Sequence, residues 1–293
     1  MIPNVILKEA SDDDVEAEIA NLERCLAEAK AKRTKSILTH QTPSNISSTT
    51  ANHFLLLLSD SALPLGSFAF SSGLESYLAH HKAGLHRRNT TVPPSFSSFL
   101  PLSLSSYAST TLPFVLAAHR DPSTTNLIRL DDIQDATIIC TVGRRASVAQ
   151  GRALLSIWER SLAAALPLPE RDGLKGFSAA LKTASGQELP PVSAHLAPLF
   201  GAVGRLAGLS LEQTAYVFVL GHVKALVSAA VRAGVFGPYQ AQKTLAGQEV
   251  QEMIGEVVRK EWNTPVEGAG QCVPVMDLWF GRHEVLYSRI FNS

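Results

Sequence analysis

The sequence predicts an all-α protein, with a single compact helical domain preceded by a flexible N-terminal extension. Three observations support this prediction. From His53 onward the apolar residues cluster in helix-length blocks, whereas the period-two alternation of strands is scarce. Ser210, followed three residues later by Gln213, has the pattern of a capping box that opens a helix. Residues 34–52 are rich in Ser, Thr and Asn, which is typical of a linker.

The N-terminal extension covers residues 1–52. Apolar side chains at intervals of four, three and four predict a short amphipathic helix within residues 11–33; they are Val15, Ile19, Leu22 and Leu26. The Ser/Thr-rich linker follows this helix. The first residues are acidic and carry no basic segment followed by an apolar one, so we expect no secretory signal peptide.

The helical domain covers residues 53–293. Its predicted helices lie near residues 53–60, 73–82, 95–119, 131–161, 195–206, 210–232, 239–260 and 282–291. Gly237-Pro238 separates two of these helices, since glycine often ends a helix and proline often begins one. The segment near residues 166–191 carries four prolines, and we expect a mobile, irregular insertion there.

The most apolar stretch is Ala215–Val231, which His222 and Lys224 interrupt. It falls short of the roughly 18 uninterrupted apolar residues of a membrane span. We therefore interpret it as a buried helix, and His222 as a core histidine with a hydrogen-bond partner.

An apolar corner joins the first two predicted helices at Ser59–Ser76. Pro64 stops the first helix, and Gly66 permits a backbone angle that is closed to other residues. An extended segment with two phenylalanines follows, and then Ser72 and Glu75 have the spacing of a second capping box. Two interpretations stay open: a corner that packs into the core, or a rigid surface that receives another protein.

The overall charge excludes some classes of partner. Lys and Arg number 26, as do Asp and Glu, and the isoelectric point is near 7.1. Such a chain has no broad positive electrostatic field that would attract nucleic acid or an anionic membrane. Charged residues make up only 18% of the chain, against about 25% in a typical protein, which indicates either surfaces covered by partners or a large core.

The motifs of common enzymes and metal sites are missing from the sequence. Gly201–Gly208 lacks the lysine and hydroxyl of a phosphate-binding loop, and Tyr287 stands where a zinc helix needs its second histidine. His80, His81 and His86 form the densest histidine group, but its spacing favours a surface cluster over a metal site. The cysteines, Cys25, Cys140 and Cys272, form no CxxC pair, which fits a reducing cytosol. We expect neither catalysis nor an intrinsic cofactor.

Three segments of the chain have a specific pattern. They are "LLLLSDSALPLGSFAFSSGLES" at Leu55–Ser76, "SAAVRAGVFGPYQAQ" at Ser228–Gln242 and "RHEVLYSRIFNS" at Arg282–Ser293. Together they resemble the UreF family of urease accessory proteins. The segment Cys140–Trp158 adds weaker support. It is similar to a helix of the family that carries arginine, serine and a Gln-Gly pair. The first 52 residues and the proline-bearing insertion depart from the family pattern.

The resemblance implies an all-α protein with a non-catalytic chaperone role. A UreF-like protein binds an accessory protein called UreD or UreH, and together they recruit the GTPase UreG to apo-urease for nickel insertion. Nickel and GTP would then be handled through the partners, and whether nickel touches this chain is open. The resemblance further implies a homodimer within the complex and a cytoplasmic location, with no nucleic acid and no membrane as partners.

The residues that match the family motifs are candidates for partner binding. They are Pro64, Gly66, Phe68, Ser71, Gly73, Glu75, Arg232, Gly237, Arg282, His283, Glu284, Tyr287, Arg289, Ile290 and Phe291. For Arg232 an interaction with the helix dipole is an open alternative to a partner contact, and for the glycines of the first motif backbone geometry alone is the alternative.

Two other classes of function stay open at this point. One is a helical enzyme or small-ligand binder without a known motif, for which His222, Lys224 and Arg232 are candidates on one helical stretch. The other is a generic helical scaffold unrelated to urease.

Overall fold

The computed structural model describes residues 21–24, 46–60, 63, 66–88, 95–168, 170–184 and 191–292. The helix predicted within residues 11–33 therefore lies outside the described residues, apart from residues 21–24, which are helical. Pro64 lies outside them as well. The contacts divide the chain after residue 48, and residues 49–293 form one compact unit.

Helices account for the regular structure of the described residues, where no strand occurs. The α-helices are α1 (Ile46–Leu58), α2 (Leu74–Arg88), α3 (Phe96–Arg120), α4 (Thr124–Thr137), α5 (Thr141–Ile157), α6 (Lys175–Ala184), α7 (Leu196–Leu206), α8 (Leu211–Arg232), α9 (Pro238–Ala246), α10 (Gln248–Glu261) and α11 (Val275–His283). The predicted all-α class is confirmed.

The long helix α3 lies at the centre of the domain and packs against α7, α8 and α10. Its apolar side chains are buried along most of its length, including Phe99, Leu112 and Phe114, which are inaccessible to solvent. Helix α7 approaches it closely, because a Cβ atom added at Gly201 would lie only 2.2 Å from the carbonyl oxygen of Val115. The core is therefore built around one helix that is covered on several sides.

Pro113 lies inside α3, where its ring removes one hydrogen bond of the helical ladder. The carbonyl that loses its partner is that of Ser109, four residues earlier. The backbone N–H of Gly270 donates to this carbonyl over 3.1 Å. A loop between α10 and α11 thus satisfies the polar group that the proline leaves open, and α3 continues without a break.

Helices α8 and α9 begin as the sequence predicts. The N–H of Gln213 donates to the Ser210 hydroxyl over 3.1 Å, and the N–H of Ser210 donates to the Gln213 side chain over 2.9 Å, which completes the capping box. Gly237 caps α9 and Pro238 is its first residue. Helix α8 is long and apolar enough to cross a membrane by length and composition, with a mean hydropathy of 1.6 over 18 residues, but 61% of that stretch is buried inside the domain.

Two helices predicted as continuous are interrupted in the structure. The prediction over residues 131–161 covers α4 and α5, which are separated at residues 138–140. The Thr137 hydroxyl there donates to the carbonyls of Ile133 and Gln134 and competes with the helical ladder. The prediction over residues 239–260 covers α9 and α10, where Gly247 adopts an extended backbone, with φ −65° and ψ 141°.

The insertion expected to be irregular near residues 166–191 contains helix α6. Leu174 and Phe177 are fully buried, and Leu181 packs against the core as well. These positions are separated by three and four residues, so they share one face of a helix. The prolines on either side concealed this short amphipathic pattern.

Candidate partner-binding surface

The apolar corner between α1 and α2 is a compact turn. Gly66 and Gly73 have φ angles of 85° and 83°, in the left-handed region that favours glycine. The expected extended segment is instead a 3₁₀ turn at Ser67–Ala69, which leaves the Phe68 ring 61% exposed. A Cβ atom added at Gly73 would lie 3.1 Å from the Cβ of Trp279, so this glycine also allows α11 to approach.

The carboxylate of Glu75 holds the C-terminal segment against this corner. Its Oε1 accepts the backbone N–H of Ile290 over 2.7 Å. Its Oε2 lies 2.9 Å from His283 Nε2 and accepts the N–H of Phe291 over 3.2 Å. Both His283 and the Glu75 carboxylate are withdrawn from solvent, with side-chain exposures of 0% and 11%. One acidic side chain thus joins two distant parts of the sequence.

These bonds correct two predictions. Glu75 was expected to complete a capping box with Ser72, but its carboxylate accepts from the C-terminal segment, and its own N–H lies 3.4 Å from the Ser71 hydroxyl. A helix was expected over residues 282–291, but α11 ends at His283. The N–H groups of Ile290 and Phe291 donate to Glu75 instead of to carbonyls four residues back, so no helical ladder forms there.

Phe291 anchors the end of the segment, with only 4% of its surface exposed. The Arg232 guanidinium, at the end of α8, lies 4.4 Å from the centre of its ring. Such a cation–π contact contributes about 0.5–1 kcal/mol at an exposed site. The N–H of Asn292 donates to the carbonyl of Ala69 over 2.7 Å. All three segments that carry the family resemblance therefore meet at this point.

A small group of charges lies beside the docked segment. Glu284 pairs with Arg145, on α5, and with Arg289 over 3.2 Å. The hydrogen bond from Arg145 holds the pKa of the Glu284 carboxyl below its usual range. These three side chains line a surface pocket together with Phe70 and Phe291.

The outer side of the C-terminal segment has apolar side chains that are exposed to solvent. Val285, Tyr287 and Ile290 are each more than half exposed, and Tyr287 is completely accessible. Phe68 adds a fourth exposed apolar side chain on the corner. We call these four residues and the charge group of Arg145, Glu284 and Arg289 the tail surface. Exposed aromatic, aliphatic and arginine side chains in one place are typical of a protein interface.

The other predicted residues have different surroundings. Ser71 is buried at the start of α2. Gly237 caps α9, and no hydrogen bond or ion pair among the described residues joins it to the tail surface. Arg282 is exposed at the end of α11. The sequence reasoning missed Trp279 and Arg145, since an isolated tryptophan and one arginine among several carry no positional signal.

A second cavity, of about 290 Å³, lies between α3, α5, α7 and α8, and residues of the apolar corner and of α11 also line it. Inside it the His222 ring stacks on Tyr107 at 3.9 Å between ring centres, and its Nε2 lies 3.0 Å from the Ser103 hydroxyl. Burial lowers the pKa of His222 to about 3, so its imidazole is neutral at ordinary pH. His222 is therefore a core histidine with a partner, as the sequence suggested. Among the described residues no group of three or more His, Cys, Asp or Glu side chains could hold a metal ion.

Comparison with known proteins identifies the family. A family model described as UreF matches residues 92–249, which is more than half of the chain. The chain belongs to the UreF family. It is 38% identical over 246 residues to an uncharacterized urease accessory protein UreF-like of Schizosaccharomyces pombe, covering 84% of this chain and 99% of that protein.

Plant members of the UreF family are similar over nearly the same range. Urease accessory protein F of Oryza sativa subsp. indica is 34% identical over 236 residues, covering 80% of this chain and 82% of the relative. Urease accessory protein F of Arabidopsis thaliana is 34% identical over 239 residues, covering 80% and 90%. The expectation drawn from the three motif segments is thus confirmed at the level of the family.

Proposed function

We propose that this UreF-family chain acts in the cytosol as a non-catalytic component of nickel insertion into urease. In this proposal it binds a UreD/UreH-like accessory protein, and the two recruit a UreG-like GTPase to apo-urease. Nickel is cargo of the assembly, and GTP is held by the GTPase. The chain acts as a homodimer within the complex. The names of its relatives as urease accessory proteins support a role in urease maturation.

One observation supports the tail surface as the site of partner binding. Glu75 joins the corner to the C-terminal segment, and Arg232 covers Phe291, so the three motif segments build one place on the molecule. If the C-terminal segment only packed against the core, Tyr287, Val285 and Ile290 would not be exposed to water. The tail surface is therefore the proposed contact with the UreD/UreH-like partner.

The role of the whole chain is tested by urease activation. Apo-urease, the UreD/UreH-like protein and the UreG-like GTPase are mixed with nickel, bicarbonate and GTP, with and without this chain. We expect urease activity only in the complete mixture, and no GTP hydrolysis by this chain alone. Equal activation without the chain would contradict the proposed function.

The contact surface is tested by single substitutions at exposed positions. Tyr287→Ala removes a side chain that touches no core group, so folding should be unchanged and capture of the UreD/UreH-like protein should weaken about tenfold or more. Leu168→Ala, at another apolar side chain that is 69% exposed, is the matched control and should bind like the wild type. If the two variants bind equally well, the tail surface is not the contact.

A further inference from the structure

Ser147, on the same helix as Arg145 of the tail surface, forms a hydrogen-bonded series with His195 and Asp135. Ser147 Oγ lies 3.0 Å from His195 Nδ1, and His195 Nε2 lies 2.9 Å from Asp135 Oδ1. Ser147 belongs to the middle of α5, Asp135 to the last turn of α4, and His195 directly precedes α7. This is the order of groups in a nucleophilic serine site, with the roles of the two ring nitrogens exchanged.

The surroundings of Asp135 keep its carboxylate as a hydrogen-bond acceptor for His195. The Nε of Arg144 donates to the same carboxylate over 2.7 Å. Burial raises the pKa of Asp135, but the hydrogen bonds from His195 and Arg144 outweigh it and hold the pKa below its usual range. An ionised carboxylate can only accept, so this contact requires a proton on Nε2. In a neutral ring with that proton, Nδ1 carries the lone pair and can accept from the hydroxyl of Ser147.

The backbone that carries His195 is fixed by a buried acid. The carboxylate of Asp131 accepts the N–H groups of Ser193, Ala194 and His195 over 2.6, 3.0 and 2.6 Å. Ala194 has a φ of 69°, in the left-handed region. This conformation is energetically unfavourable for a residue that has a side chain. Three bonds to one carboxylate maintain this conformation, and they place the His195 ring between Ser147 and Asp135.

Ser147 also lies at the positive end of a helix. The N–H of Leu196, the first residue of α7, points to Ser147 Oγ over 3.4 Å. Helix N-termini favour negative charge, and negative charge develops next to an attacking serine oxygen. The carbonyl oxygen of an ester attacked by Ser147 would therefore gain its negative charge near this end of α7.

The cavity described above gives Ser147 a binding space. Ser147 lines it, with Ala146, Leu196 and Phe200 among its apolar neighbours. Among the described residues that line the cavity there is no lysine or arginine, and the one acidic side chain is Asp277. A lining of this composition favours an uncharged ligand over an anionic one.

We propose that Ser147, His195 and Asp135 form a catalytic site that hydrolyses esters of short, uncharged acyl groups. Ser147 Oγ attacks the carbonyl carbon while its proton passes to His195 Nδ1. The ester bond breaks, and the departing alcohol takes that proton. Water then attacks the acyl-serine, giving its proton to His195, which returns it to Ser147 as the carboxylic acid leaves. This activity departs from the expectation that the chain has no catalytic site. It lies beyond the proposed role in nickel insertion, in which the chain is non-catalytic, and does not depend on it.

The wild-type protein supplies the first test. The full chain is treated with a fluorophosphonate probe, and the modified residue is located by mass spectrometry of its peptides. We expect modification at Ser147. Absence of modification there, at probe concentrations that label a known serine esterase, would overturn the proposal and leave the series as a structural network.

Turnover of p-nitrophenyl butyrate is the second test. Ser147→Ala should abolish hydrolysis, and Asp135→Asn should lower it about a hundredfold or more, because His195 then loses its orienting acceptor. Circular dichroism checks that both variants remain helical. The control is Ser178→Ala, a buried serine that donates to Glu159, lies outside the cavity and should leave turnover unchanged. Undiminished hydrolysis by Ser147→Ala would assign the activity to a contaminant and refute the proposal.

Discussion

Replacement of Glu75 by glutamine should make the C-terminal segment open from the domain more often. The carboxylate accepts two backbone N–H groups and pairs with His283. Glutamine has nearly the same shape, but it offers one neutral acceptor oxygen and turns an NH₂ group toward donors. The substitution therefore changes the interactions of the docked segment while the side chain still fills its place.

The size of the effect follows from the charge on the acceptor. A hydrogen bond to a charged group contributes about 1.5–3 kcal/mol, against about 1 kcal/mol for a neutral pair. Glu75 is largely buried, so solvent screens these bonds little. Glutamine should weaken two of the three contacts of Glu75 and place its NH₂ group against the third donor. Together these changes should reduce the free energy of docking of the segment by about 2–3 kcal/mol. Since each 1.4 kcal/mol is a factor of ten, the segment should open about 30- to 150-fold more often.

Hydrogen–deuterium exchange measures this opening directly. The N–H groups of Ile290 and Phe291 are protected by Glu75, so a peptide containing them should exchange about 30- to 150-fold faster in Glu75→Gln. Glu284→Gln is the matched control, because its ion pairs are at the surface, and exchange there should change by less than about fivefold. Unchanged exchange in Glu75→Gln would refute the reasoning.

Three further substitutions test other parts of the structure. Arg232→Ala should speed exchange of the same peptide a few-fold, and lower urease activation more than helicity, because its guanidinium covers Phe291 at the surface. Burial lowers the pKa of His222 to about 3, from roughly 6.5 in the unfolded chain, so only the unfolded state gains a proton between those pH values. His222 should then lower stability by about 2 kcal/mol from pH 7 to pH 5, and His222→Gln should lose this part of the pH dependence in thermal melts. His119, whose pKa burial also lowers, keeps its own part. Gly151→Ala should destabilise by about 2 kcal/mol or more, because its Cβ would lie 2.1 Å from the carbonyl of Ala194.

Each of these substitutions has an outcome that would contradict it. An Arg232→Ala protein that loses its helicity would show a structural arginine instead. A pH dependence as steep in His222→Gln as in the wild type would contradict the assignment to His222. For Gly151 the matched control is Gly255→Ala, in helix α10, where an added Cβ meets nothing within 4 Å and alanine should stabilise by about 0.5–1 kcal/mol. Equal melting temperatures of the two glycine variants would contradict the close approach of α5 to the segment before α7.

Much of the fold could be predicted because its signals are local. The capping box at Ser210 and the Gly237-Pro238 boundary are determined by neighbouring residues, and both helices begin there. Helix breaks at Ile138 and Gly247 were missed, since both positions carry residues that also occur inside helices. The segment after His283 was predicted as a helix because its apolar residues cluster over the length of a helix. Its backbone donors instead bind a side chain that is distant in the sequence.

The candidate sites show the same division between local and distant information. The sequence singled out Glu75 and Phe291 through resemblance, but not their contact, because residues more than 200 positions apart share no periodicity. The series of Ser147, His195 and Asp135 carries no recognisable motif. It forms only when α4, α5 and the start of α7 pack together. The left-handed conformation of Ala194 cannot be predicted from its residue type.

The two kinds of change at the tail surface should affect partner binding differently. Glu75→Gln alters how often the segment is docked, whereas Tyr287→Ala alters a side chain that a partner would touch. A partner that binds only the docked form has its affinity reduced by the docked fraction, so affinity falls clearly only when this fraction drops below about one half. If docking of the wild type is stable by several kcal/mol, Glu75→Gln will speed exchange strongly while capture stays nearly normal. Tyr287→Ala should do the opposite, with normal exchange and weak capture. Measuring both quantities on both variants therefore separates a segment that is merely held in place from one that a partner binds.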